Sequence, residues 1–462
     1  MPPFQSFGKG TRANRDPERV ALRMFFVDFH MRKIAVIGAG HVGLVTAAGF
    51  AKLGHPVLAV DQDKARIEML FAGQIPFFEP GLPELVAEVV KSGRLSFSTR
   101  IKDAAEFAEV IFICVGTPSR GDSGESDLSA LEKVTAEIAR SLSGYCLIVE
   151  KSTVPAMTGE WVKHTLKTMG PKGASFDLAA NPEFLREGSA VSDFFQPDRI
   201  VVGVETDRAR SIMEEIYGSF SAPLLFTDVK SAELIKHASN SFLALKISYI
   251  NAVSRICEKV GADVNLVSKG VGLDRRIGPG HLSAGIGYGG GCFPKDVASF
   301  IHLARSVGYD FKILQAASQA NQEQRHLALE KIKKGVWNLN GKTIGVLGLA
   351  FKDETDDIRE SPALDIVRLL LKEGSRIKAY DPAAGANARA VCPEITLCQD
   401  PYEVADGADA LLILTEWPGF AKLDFTRIKS LLIAPVIFDG RNFLPRAELQ
   451  SLGFTYLALG RP

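Results

Sequence analysis

Lys33-Ile34-Ala35-Val36-Ile37-Gly38-Ala39-Gly40-His41-Val42-Gly43 is the stretch that decides the fold. The apolar run before Gly38 reads as a short buried strand, and the apolar run from Leu44 to Lys52 reads as a helix. Between them the glycines stand in the spacing G-x-G-x-x-G. Gly38 permits a tight turn, Gly40 lets a pyrophosphate approach the backbone, and Gly43 allows close helix–strand packing. The free N–H groups and dipole at the helix start, around His41 and Val42, suit the phosphates. A second strand, Pro56-Val57-Leu58-Ala59-Val60, ends at Asp61. An acid about 20 positions beyond the glycines accepts from the ribose hydroxyls of NAD and repels a 2′-phosphate. The expected cofactor is NAD; Lys64, close to Asp61, is a further candidate contact that leaves NADP open. A bare glycine fingerprint is weak, but one set between strand, helix, strand and acid is strong.

Farther along the chain the pattern returns in degenerate form. Thr343-Ile344-Gly345-Val346-Leu347-Gly348-Leu349-Ala350 echoes the first strand and turn. Arg376-Ile377-Lys378-Ala379-Tyr380-Asp381 echoes the second strand and its acid, and Ala410–Thr415 echoes Val110–Val115. The second copy lacks the full glycine set and inserts Phe351–Arg359 between turn and helix. The fold class that follows is α/β, with two doubly wound Rossmann-like domains. The second is expected to bind a different nucleotide, a sugar nucleotide.

Between the copies, residues Ser231 to Lys259 read as one long helix, about 45 Å at 1.5 Å per residue. Its apolar positions, among them Leu234, Phe242, Tyr249 and Ile256, lie on more than one face, which predicts burial between domains or subunits. Lys236 and Asn240 stand four apart and share a face, a natural place for a catalytic lysine and an amide. A surface lysine is the plainer reading of Lys236 from periodicity alone.

The second chemical signal is Gly287-Tyr288-Gly289-Gly290-Gly291-Cys292-Phe293-Pro294-Lys295-Asp296. Glycines crowd one thiol and allow a ligand to approach closely. Pro294 and Asp296 suit the first turn of a helix running through Val297 to Ser306. A thiol at a helix N-terminus beside a lysine is expected to have a lowered pKa and to act as a nucleophile. A nucleophilic cysteine together with a hydride acceptor points to an oxidation through a thioester.

Composition sets the bounds. The 462 residues are 46% hydrophobic and 23% charged, enough for two or three domains with ample core. The formal net charge of +0 gives no reason to expect nucleic acid or an anionic membrane as the main partner. The six cysteines, at 114, 146, 257, 292, 392 and 398, form no C-x-x-C and no zinc spacing, so no metal is expected. This usage suits a reducing, cytoplasmic setting without structural disulfides. No apolar run reaches the roughly 20 residues of a membrane span. Residues 1–30 interleave Arg12, Arg15, Arg19 and Arg23 with acids, and are expected to be a disordered extension or an interaction arm. The expected domains are then 31–227 for NAD, 228–330 as a helical middle carrying the Cys292 loop, and 331–462 for the sugar nucleotide.

These stretches, with Val115-Gly116-Thr117-Pro118, Lys151-Ser152-Thr153-Val154-Pro155 and Asn181-Pro182-Glu183-Phe184-Leu185-Arg186-Glu187-Gly188, carry a resemblance. So do Pro197-Asp198-Arg199, Glu233-Leu234-Ile235-Lys236, Phe351-Lys352, Arg359-Glu360-Ser361-Pro362 and Asp439-Gly440-Arg441. In this order, over about residues 31 to 450, the chain resembles the nucleotide-sugar 6-dehydrogenases, and among them the UDP-glucose 6-dehydrogenases. The resemblance implies an NAD domain, a long helix at the core of a homodimer, and a sugar-nucleotide domain, with UDP-glucose as substrate. Cys292 would trap an aldehyde, Lys236 and Asn240 would stabilise the oxyanion, and Asp296, Thr153 and Glu183 would act as base or hold water. Thr117, Thr153, Glu187, Lys295 and Arg359 would border the cofactor. Phe184, Leu185, Tyr288 and Gly289 would join Glu183, Lys236 and Asn240 around the sugar nucleotide. Lys352 and Arg441 would meet the diphosphate, with Arg276 reaching in from a neighbouring subunit.

The chain departs from the pattern at His281, where an aromatic residue is common, and at Gly291, where a serine is common. Phe293 after the cysteine favours UDP-glucose over GDP-mannose or a UDP-N-acetylhexosamine, where leucine is typical. A two-electron hydroxyacid dehydrogenase would not need the thiol loop. A non-catalytic nucleotide sensor would not need Cys292, Lys236 and Asp296 together.

Overall fold

The structure, a computed structural model, describes residues 31–462. The extension expected over residues 1–30 lies outside the described residues. The opening strand is β1 (Ile34–Ile37), flanked by β2 (Val57–Val60) and β3 (Leu95–Ser98) on one side. On the other side follow β4 (Val110–Ile113), β5 (Tyr145–Glu150), β6 (Ser175–Ala180), β7 (Ile200–Val204) and β8 (Leu224–Thr227). The sheet runs β3-β2-β1-β4-β5-β6-β7-β8, parallel throughout except between β6 and β7. A parallel sheet needs crossovers that cover both faces, so its strands can be apolar at every position. β1, β2 and β4 are buried at all four residues each.

The second sheet contains β9 (Thr343–Leu347), β10 (Arg376–Tyr380), β11 (Thr396–Leu397), β12 (Ala410–Ile413), β13 (Val436–Asp439) and β14 (Thr455–Ala458). Its order is β11-β10-β9-β12-β13-β14, all parallel. Counted from its own first strand, this is the order of the first six strands of the larger sheet, the doubly wound arrangement. Register repeats as well: Ile34 pairs with Val57 and Val110, and Ile344 pairs with Ile377 and Ala410. The internal echo read from the sequence is a repeat of topology.

The long helix joins the two. It runs Val229–Val260, a little beyond the expected limits. Asp228 caps its start by accepting from Ser231 N at 2.8 Å, and Gly261, at φ 78°, ends it. Its buried face is mixed, with polar and charged side chains packed among Ala232, Ala244, Ile250 and Cys257. Glu233, Lys236, His237, Asn240, Ser241, Asn251 and Ser254 point inward and are buried. Leu234, Phe242, Tyr249 and Ile256, spaced seven or eight apart, form an outward apolar stripe, with Phe242 62% exposed. Among the described residues, no helix is long and apolar enough to cross a membrane.

Candidate active site

The Cys292 loop is held from three sides. Gly285 N donates to Asn251 Oδ1 of the long helix at 2.9 Å. Tyr288 N donates to Asn321 Oδ1 at 2.8 Å, and Asn321 Nδ2 returns to Tyr288 O at 3.1 Å. From the C-terminal domain, Gly290 N donates to Arg359 O at 2.9 Å, and Arg441 Nη1 donates to Gly287 O at 3.1 Å. A side chain at Gly289 would come within 2.1 Å of Glu360 O, and one at Gly290 within 2.8 Å of the Phe351 ring. A Cβ at Gly291 would lie 2.4 Å from Arg359 Cζ, so the serine common there would displace the guanidinium. The glycines were expected to admit a ligand; what approaches Gly289, Gly290 and Gly291 is the chain's own C-terminal domain.

Cys292 caps the helix Phe293–Ser306, with Pro294 and Asp296 in its first turn as expected. The residue opens onto a cleft, yet its thiol is not activated as expected. Crowding by protein and then the charge of Glu183 push it up to about 12, with Asp296 and Glu187 adding to the rise and Lys236 opposing it. One helix terminus and one lysine do not outweigh restricted hydration and three carboxylates.

Those carboxylates are themselves organised. Lys236 Nζ lies 3.0 Å from Glu183 Oε1, both side chains nearly fully buried. Burial opposes charge on Lys236, but Glu183, the Cys292 sulfur and Asp296 more than offset it, and its pKa rises. Asn240 Nδ2 donates to Asp296 Oδ2 at 2.6 Å, while Lys295 pairs with Asp296 Oδ1. Burial would raise the Asp296 pKa; Lys295, Lys236 and His237 together hold it below the usual carboxylate range. The shared face of Lys236 and Asn240 thus holds two acids, one on each residue. Cys292, Lys236, Glu183 and Asn240 border a cavity of about 540 Å³ that also takes in Lys151, Asn181, Phe184, Leu185, Arg199 and His281. The Arg199 guanidinium stacks 3.7 Å from the Phe184 ring centre.

At the β1 turn the glycines divide as expected. Gly38 has φ +100°, and a Cβ there would sit 2.5 Å from Cys114 O. A Cβ on Gly43 would strike Gly38 O at 1.7 Å. Among the described residues nothing lies within 4 Å of the missing side chain of Gly40, which leaves the cradle a pyrophosphate requires. Asp61 Oδ2 accepts from Ala39 N at 2.8 Å and pairs with Arg66 Nη1 at 2.8 Å. Arg66, rather than the expected Lys64, is the cation at Asp61, because Asp63 caps the helix Lys64–Phe71 by accepting Arg66 N. His41 stacks on Phe77 and pairs with Glu79 at 2.6 Å. Thr117 Oγ1 donates to Thr153 O at 2.7 Å, with Lys295 Nζ 3.5 Å away, and Glu187 pairs with Arg359 at 3.2 Å. The cofactor turn, Thr153 segment, Cys292 helix and C-terminal domain therefore converge.

Other expected contacts lie elsewhere or are engaged. Arg441, assigned to a diphosphate, spends its guanidinium on the carbonyls of Gly287, Phe351 and Leu414, clamping the Cys292 loop. Lys352 Nζ donates to Asp353 O at 2.8 Å. Tyr288 is buried. Arg276 is exposed and paired with its neighbour Asp274, apart from the Cys292 cluster of its own chain. Reasoning from sequence missed roles for Lys151, Asn181, Arg199, His237 and Glu79. Lys151, Asn181 and Arg199 stood inside the quoted motifs; nothing in spacing marks His237, whose ring donates to Val154 O at 2.8 Å.

Comparison with known proteins agrees with this geometry. The NAD-binding, central and UDP-binding domain models of the UDP-glucose/GDP-mannose dehydrogenase family match residues 32–221, 230–323 and 345–446. A UDP-glucose 6-dehydrogenase of Rhizobium meliloti is 45% identical over 436 residues, covering 93% of this chain and 100% of the relative. One from Bacillus subtilis is 45% identical over 433 residues, covering 94% of each. A UDP-glucose dehydrogenase structure from Pyrobaculum islandicum superimposes with TM-score 0.88 at 40% identity, covering 94% of this chain and 98% of that one. With its paired Rossmann-like domains, open glycine turn and thiol loop, the chain belongs to the UDP-glucose/GDP-mannose dehydrogenase family.

Proposed function

We propose that this enzyme oxidises C6 of UDP-glucose to the carboxylate of UDP-glucuronate in four electrons, through a thioester on Cys292. The observation that carries the reading is that Cys292, Lys236 and Asn240 line one cleft, with Asp296 hydrogen-bonded to Asn240. NAD, when bound at the Gly38–Gly43 turn, supplies the hydride acceptor for both oxidations. The alcohol first loses a hydride and a proton to give the aldehyde. The Cys292 sulfur adds to C6 while its proton passes to the former carbonyl oxygen, giving a thiohemiacetal. Lys236, held protonated, stabilises that oxygen, and Asn240 orients Asp296 alongside it. Loss of a second hydride and a proton leaves the thioester, which water cleaves to carboxylate and free thiol. Glu183 and Thr153 would hold that water. The high resting pKa of Cys292 keeps the thiol protonated until an aldehyde arrives.

The outward stripe of Leu234, Phe242, Tyr249 and Ile256 supports a homodimer, since an uncovered apolar face of this kind invites association. The same pairing would give Arg276 a neighbour's diphosphate to meet. Light scattering that found a stable, active monomer would refute this. For the chemistry, NADH formed per UDP-glucose consumed decides: two per sugar nucleotide is expected, and one, with free aldehyde released, would overturn the thioester route.

A further inference from the structure

Two carboxyl groups outside the reaction scheme lie against each other in the core. Glu150 ends β5, directly before the Lys151–Pro155 segment that carries Thr153. Glu233 is on the long helix, one turn before Lys236. Both are buried, Glu150 to 2% exposure and Glu233 to 3%. Glu233 Oε2 accepts from Met157 N at 2.7 Å and Oε1 from Gly159 N at 2.8 Å, so its oxygens face backbone donors. Among the described residues neither oxygen of Glu150 has a hydrogen-bond donor, and the Glu233 carboxyl is the charged group acting on it. Two carboxylates cannot occupy one dry site; one must keep a proton. With two backbone N–H groups on its oxygens, Glu233 is the better placed of the two to carry the charge, which leaves the proton to Glu150.

We propose that Glu150 and Glu233 are a carboxyl pair sharing one proton, and that this pair positions the long helix, and with it Lys236 and Asn240, against the Thr153 segment. Glu233 binds the start of the helix Thr158–Met169, just past that segment, while His237 binds Val154 O. These two ties, one turn apart, set the height of Lys236 and Asn240 over the thiol. Burial, and then the charge of Glu233, raise the Glu150 pKa well above the usual value. The other charged groups acting on the pair are Glu160 from Thr158–Met169 and Lys230 from the long helix, which bond to each other. Only the kinetic arm of the test depends on the function proposed above.

The test compares Glu150→Gln with Glu150→Leu in the full chain. Gln keeps an N–H donor for Glu233, and Leu does not. Infrared difference spectra at neutral pH should show the C=O stretch of a protonated carboxyl in the wild type that Glu150→Gln lacks. Wild-type stability relative to Glu150→Gln should fall as pH rises above about 4.3, where the unfolded chain releases the proton and the folded one retains it. Turnover should stay within about twofold in Glu150→Gln and drop on the order of tenfold in Glu150→Leu, with KM little changed. No infrared difference, a stability gap independent of pH, or full turnover in Glu150→Leu would each overturn the proposal. The first two readouts stand even if UDP-glucose is not the substrate.

Discussion

The β1 turn and the β9 turn are built on one frame and differ in what they leave open. Gly38 N donates to Val60 O at 2.7 Å, and Gly348 N donates to Tyr380 O at 2.9 Å. Both glycines take positive φ, +100° and +92°. Cys114 N closes on Ile37 O, and Leu414 N closes on Leu347 O. Beyond that the two diverge. Gly40 faces empty space; its counterpart Ala350 is fully buried, with its carbonyl held by Thr415 Oγ1. Asp61 accepts from Ala39 N and Asp63 N and stays partly exposed. Asp381 is buried and saturated by four backbone donors: Leu349, Ala350, Ala383 and Ala384. The same acid at the same strand end is left partly open in one copy and is a structural bracket in the other. A repeated fold therefore carries a repeated function only where its polar groups are left unspent.

The largest effect should come where both copies meet the thiol. Cys292→Ser should lose on the order of a thousandfold in turnover, because an oxyester leaves less readily than a thioester and serine is a weaker nucleophile. Calorimetry should find sugar-nucleotide affinity nearly unchanged; full turnover would make the cysteine structural. Alkylation of Cys292 in the free enzyme should be slow near neutral pH. It should then quicken about tenfold per pH unit without levelling until the thiol's value of about 12. A plateau near pH 7 would restore the activated thiol that the helix terminus suggested.

Next in size is the test of the two acids. Asp381→Ala strands four backbone N–H groups, three of them buried, and should destabilise the protein by about 3 kcal/mol in urea titration. NAD affinity should be nearly unaffected. If NAD binding collapsed while stability held, the second turn would be a cofactor site and the comparison would fail. Gly40→Ala should do the reverse. Its backbone, at φ −78°, accepts alanine, and nothing surrounds the new Cβ. Thermal stability should hold while NAD affinity falls about tenfold, as the methyl occupies the pyrophosphate's place.

Much of this was legible in the sequence, for local reasons. The strand–glycine–helix grammar, the Asp61 position and the echo at Thr343–Ala350 all rest on neighbours within a few residues. The Lys236–Asn240 face follows from helical period alone. What was not legible depends on distant chain. That Gly289 meets Glu360 and that Arg441 is consumed by three carbonyls are facts about the C-terminal domain, and that Glu183 raises the Cys292 thiol is a fact about the segment after β6. The long helix is similar. Its composition marked it as apolar around several faces, but only packing decides that the polar residues go inward and the stripe outward.

The smallest effects sharpen the cofactor side of the first turn. Asp61→Ala removes the ribose acceptor but only two backbone contacts, so its stability loss should be smaller than that of Asp381→Ala, about 1 kcal/mol. NAD should weaken by about tenfold, and Arg66, freed from its partner, should make a 2′-phosphate less unwelcome. The NAD-to-NADP preference should therefore narrow in Asp61→Ala and widen again when Arg66→Ala is added. Arg66→Ala alone removes a partly exposed ion pair and should change stability by no more than about 0.5 kcal/mol. Lys64→Ala, which touches neither Asp61 nor the turn, should leave both cofactor constants within error. A larger NADP response to Lys64→Ala than to Arg66→Ala would return the discriminating role to Lys64 and show that the cation beside Asp61 is set by the bound cofactor rather than by the Asp63 cap.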